Sequence, residues 1–137
     1  MEIIYQEPVN NLFWKEASKK FDLDFDEHNI IFTYGEKVYT FNPLSEDLMV
    51  HEQVHIEQQR RQNDGEMGWW RKWLEDPEFR LSQELEAYQE QYQFFVKTES
   101  NREKVNQALW SIAGMLSSKI YGSVISHSEA VLAIKKK

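Results

Sequence analysis

Residues 45–62 read SEDLMVHEQVHIEQQRRQ, with no glycine or proline among them. Ser45 is a competent N-cap, and Glu46 and Asp47 place negative charge on the first turn, where the helix dipole favours it. A long helix is expected from about Ser45 to Gln62, closed by the turn signal Asn63-Asp64-Gly65. Inside it His51-Glu52-Gln53-Val54-His55 fits H-E-x-x-H. Helical residues four apart are offset by about 40° and roughly 6 Å along the axis, so both imidazoles address one point. That spacing suits two ligands of a tetrahedral Zn2+ at about 2.0–2.1 Å. Glu52 lies about 60° round the helix from His55, where it can reach water on the metal and take its proton. Shuffling this composition produces the pattern roughly once in 90 chains, so the helical setting matters as much as the letters. Gln58-Gln59-Arg60-Arg61 reads as the solvated end of this helix.

Upstream, residues 1–43 hold mixed and partly alternating patterns. A first helix is expected over Asn10–Lys20, with Leu12, Phe13, Ala17 and Phe21 on one side. Phe21 to Asp26 alternates apolar and acidic residues as a half-buried extended segment would. Asn29–Tyr34 and Lys37–Phe41 are rich in β-branched and aromatic residues, and Gly35-Glu36 between them predicts a hairpin. Asp22, Asp24 and Asp26 imitate the start of a calcium loop. Glu27 stands where that loop needs glycine and Thr33 where it needs glutamate, so no calcium site is expected.

Downstream, residues 44–137 read almost wholly helical. Trp69–Leu74 is expected as a short helix whose three tryptophans pack the turn between longer ones. Asp76-Pro77 is a capping side chain followed by proline at the first helical position. Leu81, Leu85, Tyr88, Tyr92 and Phe95 then repeat at 4-3-4-3 spacing, one buried helix face. Ser100 and Glu103 predict a capping box, followed by an inner face of Val105, Leu109, Ile112, Leu116 and Ile120. Tyr121-Gly122 should stop that helix, and Ser126 with Glu129 should cap a last one. Neither a repeat nor a low-complexity linker divides the chain, so residues 1–137 are expected to form one domain.

Two histidines hold zinc weakly, and a catalytic site supplies three protein ligands. A third histidine of the H-E-x-x-H-x-x-G-x-x-H type is excluded, because Gln58 and Arg61 occupy the required positions. His28 and His127 lie far along the chain. If the helix from Pro77 packs antiparallel to the motif helix, it passes the metal about two turns after its start. Glu84 lies at that depth, on the flank of the Leu81–Leu85–Tyr88 stripe. Glu86 is about 200° further round and cannot face the same ion, so Glu84 is the expected third ligand.

The string HEQVH followed by Glu84-Leu85-Glu86-Ala87-Tyr88 resembles the gluzincin zinc metallopeptidases, many of which carry a downstream E-x-x-A element. The resemblance covers about residues 45–92. It implies His51, His55 and Glu84 as zinc ligands and Glu52 as the catalytic base. It also implies an α+β, mostly helical, zincin-like fold in which a small N-terminal β-hairpin or sheet precedes a helical bundle carrying the motif helix. The commoner E-x-x-A-D version has an acidic residue where Tyr88 stands here, so the group that orients a histidine must come from elsewhere. Such enzymes often use a downstream Tyr or His as oxyanion donor; Tyr121 and His127 are the candidates, Tyr121 also having the plainer reading of a core aromatic. The small size is similar to that of minimal single-domain gluzincins and of peptidases encoded in phage genomes. The expected substrate is a peptide or protein, with strand Lys37–Phe41 offering an edge to an extended chain. Two other functions stay open. One is metal-dependent hydrolysis of another amide, for instance in a cell-wall peptide. The other is a non-catalytic or virion-associated component, against which the intact Glu52 argues.

Composition bounds these readings. Sixteen basic against twenty-three acidic residues give a net charge of −7, which disfavours nucleic acid as a partner. Cysteine is absent, excluding disulfides, thiolate metal ligands and cysteine catalysis. No apolar run is long enough to span a membrane, and MEIIYQEPVN lacks the basic and apolar segments of a secretory signal. A cytoplasmic or virion-associated location is therefore expected, with the oligomeric state open.

Overall fold

The structure, a computed structural model, describes residues 1–136. It is an α+β architecture, mostly helical, with one small sheet. Strand β1 (Glu2–Ile4) comes first, then α1 (Leu12–Lys20), β2 (Phe32–Tyr34) and β3 (Lys37–Tyr39). The helices α2 (Glu46–Arg61), α3 (Gly65–Glu75), α4 (Pro77–Thr98), α5 (Arg102–Leu116) and α6 (His127–Lys135) follow, with a 3-10 turn at Lys119–Tyr121. No helix among the described residues is long and apolar enough to cross a membrane.

The predicted hairpin forms. Phe32 pairs with Tyr39, Thr33 with Val38 and Tyr34 with Lys37, and Gly35 closes the turn at φ +62°, a conformation that penalises any Cβ. The sheet holds a further strand. The apolar pair Ile3-Ile4 brings β1 alongside β3 in parallel, giving the order β1-β3-β2. Lys37–Tyr39 is therefore the central strand, paired on both sides, and does not offer the peptide edge expected of it.

Other expectations shift with the local chemistry. Helix α1 starts at Leu12 and not at Asn10, because Asn11 caps it, its side chain accepting from the amides of Phe13 and Trp14. Leu12 points to solvent at 68% exposure, and Trp14 takes its place in the core. Phe21–Asp26 is not extended. Asp24 accepts from the Glu27 amide at 2.8 Å, the His28 ring accepts from the Asp24 amide at 2.8 Å, and Asp22 is left-handed. Aspartates that bind nearby amides favour turns over strands. The alternation still locates the inward side chains, since Phe25 is buried and Phe21 and Leu23 pack against the same cluster.

Asp76 caps α4 through the amides of Glu78 and Phe79, with Pro77 at the first position. The Ser100–Glu103 box does not form. Asn101, one residue on and an equally good capping type, is the N-cap of α5 and accepts from the Lys104 amide. Helix α5 ends at Leu116, so Ile120 lies beyond it in the 3-10 turn. The Ser126–Glu129 box caps α6 as predicted.

Two main cores result. One is aromatic and gathers Trp14, Phe25, Phe32, Trp69, Trp70 and Trp73 among α1, the sheet and α3. The other joins α4, α5 and α6 through Tyr88, Leu109, Ile112, Leu116, Ala130 and Ile134. Between them α2 and α4 run antiparallel, as successive contacts show: Asp47 meets Gln91, His55 meets Glu84 and Gln58 meets Gln83.

Candidate metal centre

His51, Glu52, His55 and Glu84 are all buried at the α2–α4 seam. The spacing of four puts both imidazoles on one face of α2, and the antiparallel return of α4 brings Glu84 opposite them. The two Nε2 atoms lie 3.1 Å apart, and Glu84 Oε1 lies 3.2 Å from His55 Nε2 and 3.5 Å from His51 Nε2. Bonds of about 2.0–2.1 Å to a tetrahedral ion imply ligand–ligand separations of about 3.3 Å. The three atoms therefore sit like three corners of such a tetrahedron. Glu52 Oε2 stands further off, 3.9 Å from His51 Nε2. Ligand atoms of His51, Glu52 and His55 also fall within 4.8 Å of one another, but Glu84 is nearer to both rings and is the better third ligand.

The outer atom of each group is already engaged. His51 Nδ1 lies 3.0 Å from Gln91 Oε1 and His55 Nδ1 lies 2.8 Å from Gln58 Oε1. Trp73 Nε1 donates to Glu84 Oε2 at 2.9 Å, and the Thr33 hydroxyl donates to Glu52 Oε1 at 2.8 Å. Lone pairs of two imidazoles and a carboxylate oxygen converge at hydrogen-bond range, and a cation among them removes the repulsion. In the metal-free chain a proton serves. Burial opposes charging of His55, but the Glu84 carboxylate outweighs it and pushes the ring up to about 9. Burial likewise pushes Glu84 up, yet His55 and His51 hold it well below the usual carboxylate range. The donor set, two imidazoles and one carboxylate with a fourth direction open, fits Zn2+.

A cavity of about 400 Å3 opens on this cluster, with Ile31, Thr33, Leu48, Met115 and Tyr121 among its lining. Tyr121 is thus brought to the site. Its hydroxyl lies 2.7 Å from that of Tyr88, whose ring packs on His51 at a centroid distance of 4.3 Å. Burial raises both phenols, with Glu84 adding to the shift, so both stay protonated donors. Arg80, buried one turn before Glu84, donates to the carbonyls of Tyr121 at 2.9 Å and Trp73 at 2.7 Å, fastening the 3-10 turn to α4. Gly122 sits there at φ +87°, a conformation that L side chains rarely adopt, and a Cβ would lie 3.0 Å from the Arg80 guanidinium.

His127 is not brought to the site; it caps the Trp110 carbonyl at 3.0 Å on the far side of α5. His28 serves the turn at Asp24. Glu86 faces Gln58 and Arg61 rather than the ligand cluster. The strand beside Glu52 is β2, through Thr33, not β3.

Several functional side chains were not expected from sequence. Gln58 and Gln59, read as a wet helix end, are 2% and 1% exposed. Gln59 donates to the Thr33 carbonyl at 2.8 Å and accepts from the Gly35 amide at 2.7 Å, tying β2 to α2. Trp73, read as packing alone, also holds Glu84. One signal was available for Gln58: three residues after His55 it shares the ligand face of the helix. Comparison of the chain with family models, curated proteins and solved structures finds no match.

Proposed function

We propose that this chain is a zinc-dependent hydrolase of peptide bonds with a zincin-like site, in which His51, His55 and Glu84 hold the ion and Glu52 is the general base. The observation that carries this reading is the tetrahedral spacing of the three ligand atoms, each on a side chain whose other polar atom is already bonded. When bound, zinc supplies Lewis acidity, polarising a carbonyl and making water a competent nucleophile near neutral pH. Glu52 has one oxygen fixed by Thr33, leaving Oε2 on the ligand side to take the proton of the attacking water and pass it to the leaving amine. Tyr121, paired with Tyr88 and held protonated by burial, would donate to a carbonyl oxygen that gains charge. Ile31, Leu48 and Met115 give the cleft apolar walls for a polypeptide substrate.

The test is metal analysis of the purified chain together with peptide hydrolysis by wild type and Glu52→Gln. One zinc per chain in both proteins, with kcat lowered about 100-fold or more in the variant, is the expected outcome. A variant as active as wild type, or a chain that takes up no zinc, refutes the reading.

A further inference from the structure

The two glutamines behind the histidines have fixed orientations, because their far ends meet groups that only accept hydrogen bonds. Gln91 Nε2 donates to Asp47 Oδ2 at 2.8 Å. Gln58 Nε2 donates to Glu86 Oε1 at 2.8 Å and to the Gln83 carbonyl at 3.0 Å. Neither a carboxylate nor a carbonyl can donate, so both NH2 groups point away from the rings and both Oε1 atoms point at them. An amide oxygen also only accepts. Nδ1 of His51 and of His55 must therefore carry hydrogen, which leaves Nε2 as the ligand atom on each ring.

We propose that Gln58 and Gln91 are the positioning residues of the metal centre, each locking one histidine as an Nδ1–H donor so that both Nε2 atoms face the ion. Asp47 and Glu86 anchor the two amides. Both relays span the helix seam: His51 on α2 leans on Gln91 of α4, which returns to Asp47 on α2, and His55 leans on Gln58, which crosses to Glu86 on α4. They supply the orienting function that an acidic residue at the position of Tyr88 would otherwise provide. An amide between ring and carboxylate has a further effect. A carboxylate directly on Nδ1 would draw its proton and raise the ligand's basicity, whereas the weakly basic amide oxygen leaves a neutral imidazole. The ion then keeps more of its Lewis acidity.

This inference deepens the hydrolase reading, and the experiment separates the two. Zn2+ affinity of the full chain is measured by competition with a chromophoric chelator at fixed pH, for wild type, Gln58→Met, Gln91→Met and the control Gln53→Met. Gln53 is exposed, on the outer face of the same helix. Methionine preserves length and helix preference while removing every side-chain hydrogen bond of the glutamine: three at Gln58 and two at Gln91. Each of the first two variants should lose about 10- to 100-fold in affinity, with the control unchanged. Where a buried variant fails to fold, Asp47→Ala and Glu86→Ala, both only partly buried, should show a smaller loss in the same direction. Ring 15N–1H spectra supply a readout that a purely structural role would not move. In the zinc-loaded wild type both rings should carry hydrogen on Nδ1 and metal on Nε2. Wild-type affinity in both Met variants, or metal on Nδ1, overturns the proposal. A wild type that binds no zinc removes the hydrolase reading alone, and the metal-free spectrum then decides the relay. Hydrogen on Nδ1 of His51 sustains it, and an Nδ1 without hydrogen overturns it.

Discussion

Helix α4 meets the rest of the molecule on two unlike faces. One carries Leu81, Leu85, Tyr88 and Tyr92 into the core shared with α5 and α6. The other carries Arg80, Glu84 and Gln91, all buried, against α2, α3 and the Tyr121 turn. The first face stabilises by removing apolar surface from water, roughly 25 cal/mol per Å2. The second gains little that way and pays for its burial with hydrogen bonds; among the described residues no buried side-chain nitrogen or oxygen lacks a partner. The contrast separates work along a single helix: the apolar face holds the fold, and the polar face brings a buried carboxylate to two imidazoles that could hold a cation.

The sharpest way to break the contrast is a cavity on the apolar face alone. Leu116 is fully buried between α5 and its neighbours. Leu116→Ala should lower the unfolding free energy by about 2–5 kcal/mol, while zinc affinity per folded molecule stays at the wild-type value. Denaturant unfolding paired with metal titration measures both. A cavity there that also weakens zinc would mean the two faces are coupled.

The polar face should reveal itself through pH. In the metal-free chain the folded-state value of His55 is raised from 6.5 to about 9, so its contribution is fully present below pH 6.5 and is lost as pH rises through 9. Glu84 is lowered from 4.5, so its contribution is present above pH 4.5 and is lost as pH falls through its folded value. Chelator-treated protein should therefore melt highest between about pH 4.5 and 6.5 and lower at pH 9. On the proposed reading zinc should reverse the upper limb, because an ion held by His51, His55 and Glu84 would take the proton's place and bind more tightly as pH rises. Thermal melts at pH 5.5 and 9, with chelator and with excess zinc, test this; parallel slopes in the two conditions would contradict it.

The same two faces explain what could be read from sequence. The apolar face announces itself through the 4-3-4-3 spacing of Leu81, Leu85, Tyr88 and Tyr92, and the proposed ligands through His51 and His55 one turn apart and Glu84 at matching depth. Those are local periodicities. The supporting residues are not periodic. Gln58 and Gln91 look like surface glutamines until the helix carrying their partners is placed beside them. Strand β1 has only three residues, and its parallel partner lies more than thirty positions away, so nothing in MEIIYQ marks it as a strand. Asn101 and Ser100 are adjacent residues of the same capping class, and sequence spacing alone favours the wrong one.

The smallest effect should come from the far end of α2, where burial stops within one residue. Gln59 is buried against β2, while Arg60 next to it is exposed and pairs with the half-exposed Glu57 and the exposed Glu36. Glu36 is held below the usual carboxylate range chiefly by its hydrogen bond to Arg60, so the contact has an electrostatic effect. Yet water screens these charges, salt screens them further, and fixing two long side chains costs entropy. Arg60→Ala should leave the melting temperature and zinc affinity within experimental error at physiological salt. A clear drop that disappears in 1 M salt would show that the Arg60 pair fastens the hairpin to α2, and would move the boundary of the polar seam outward by one residue.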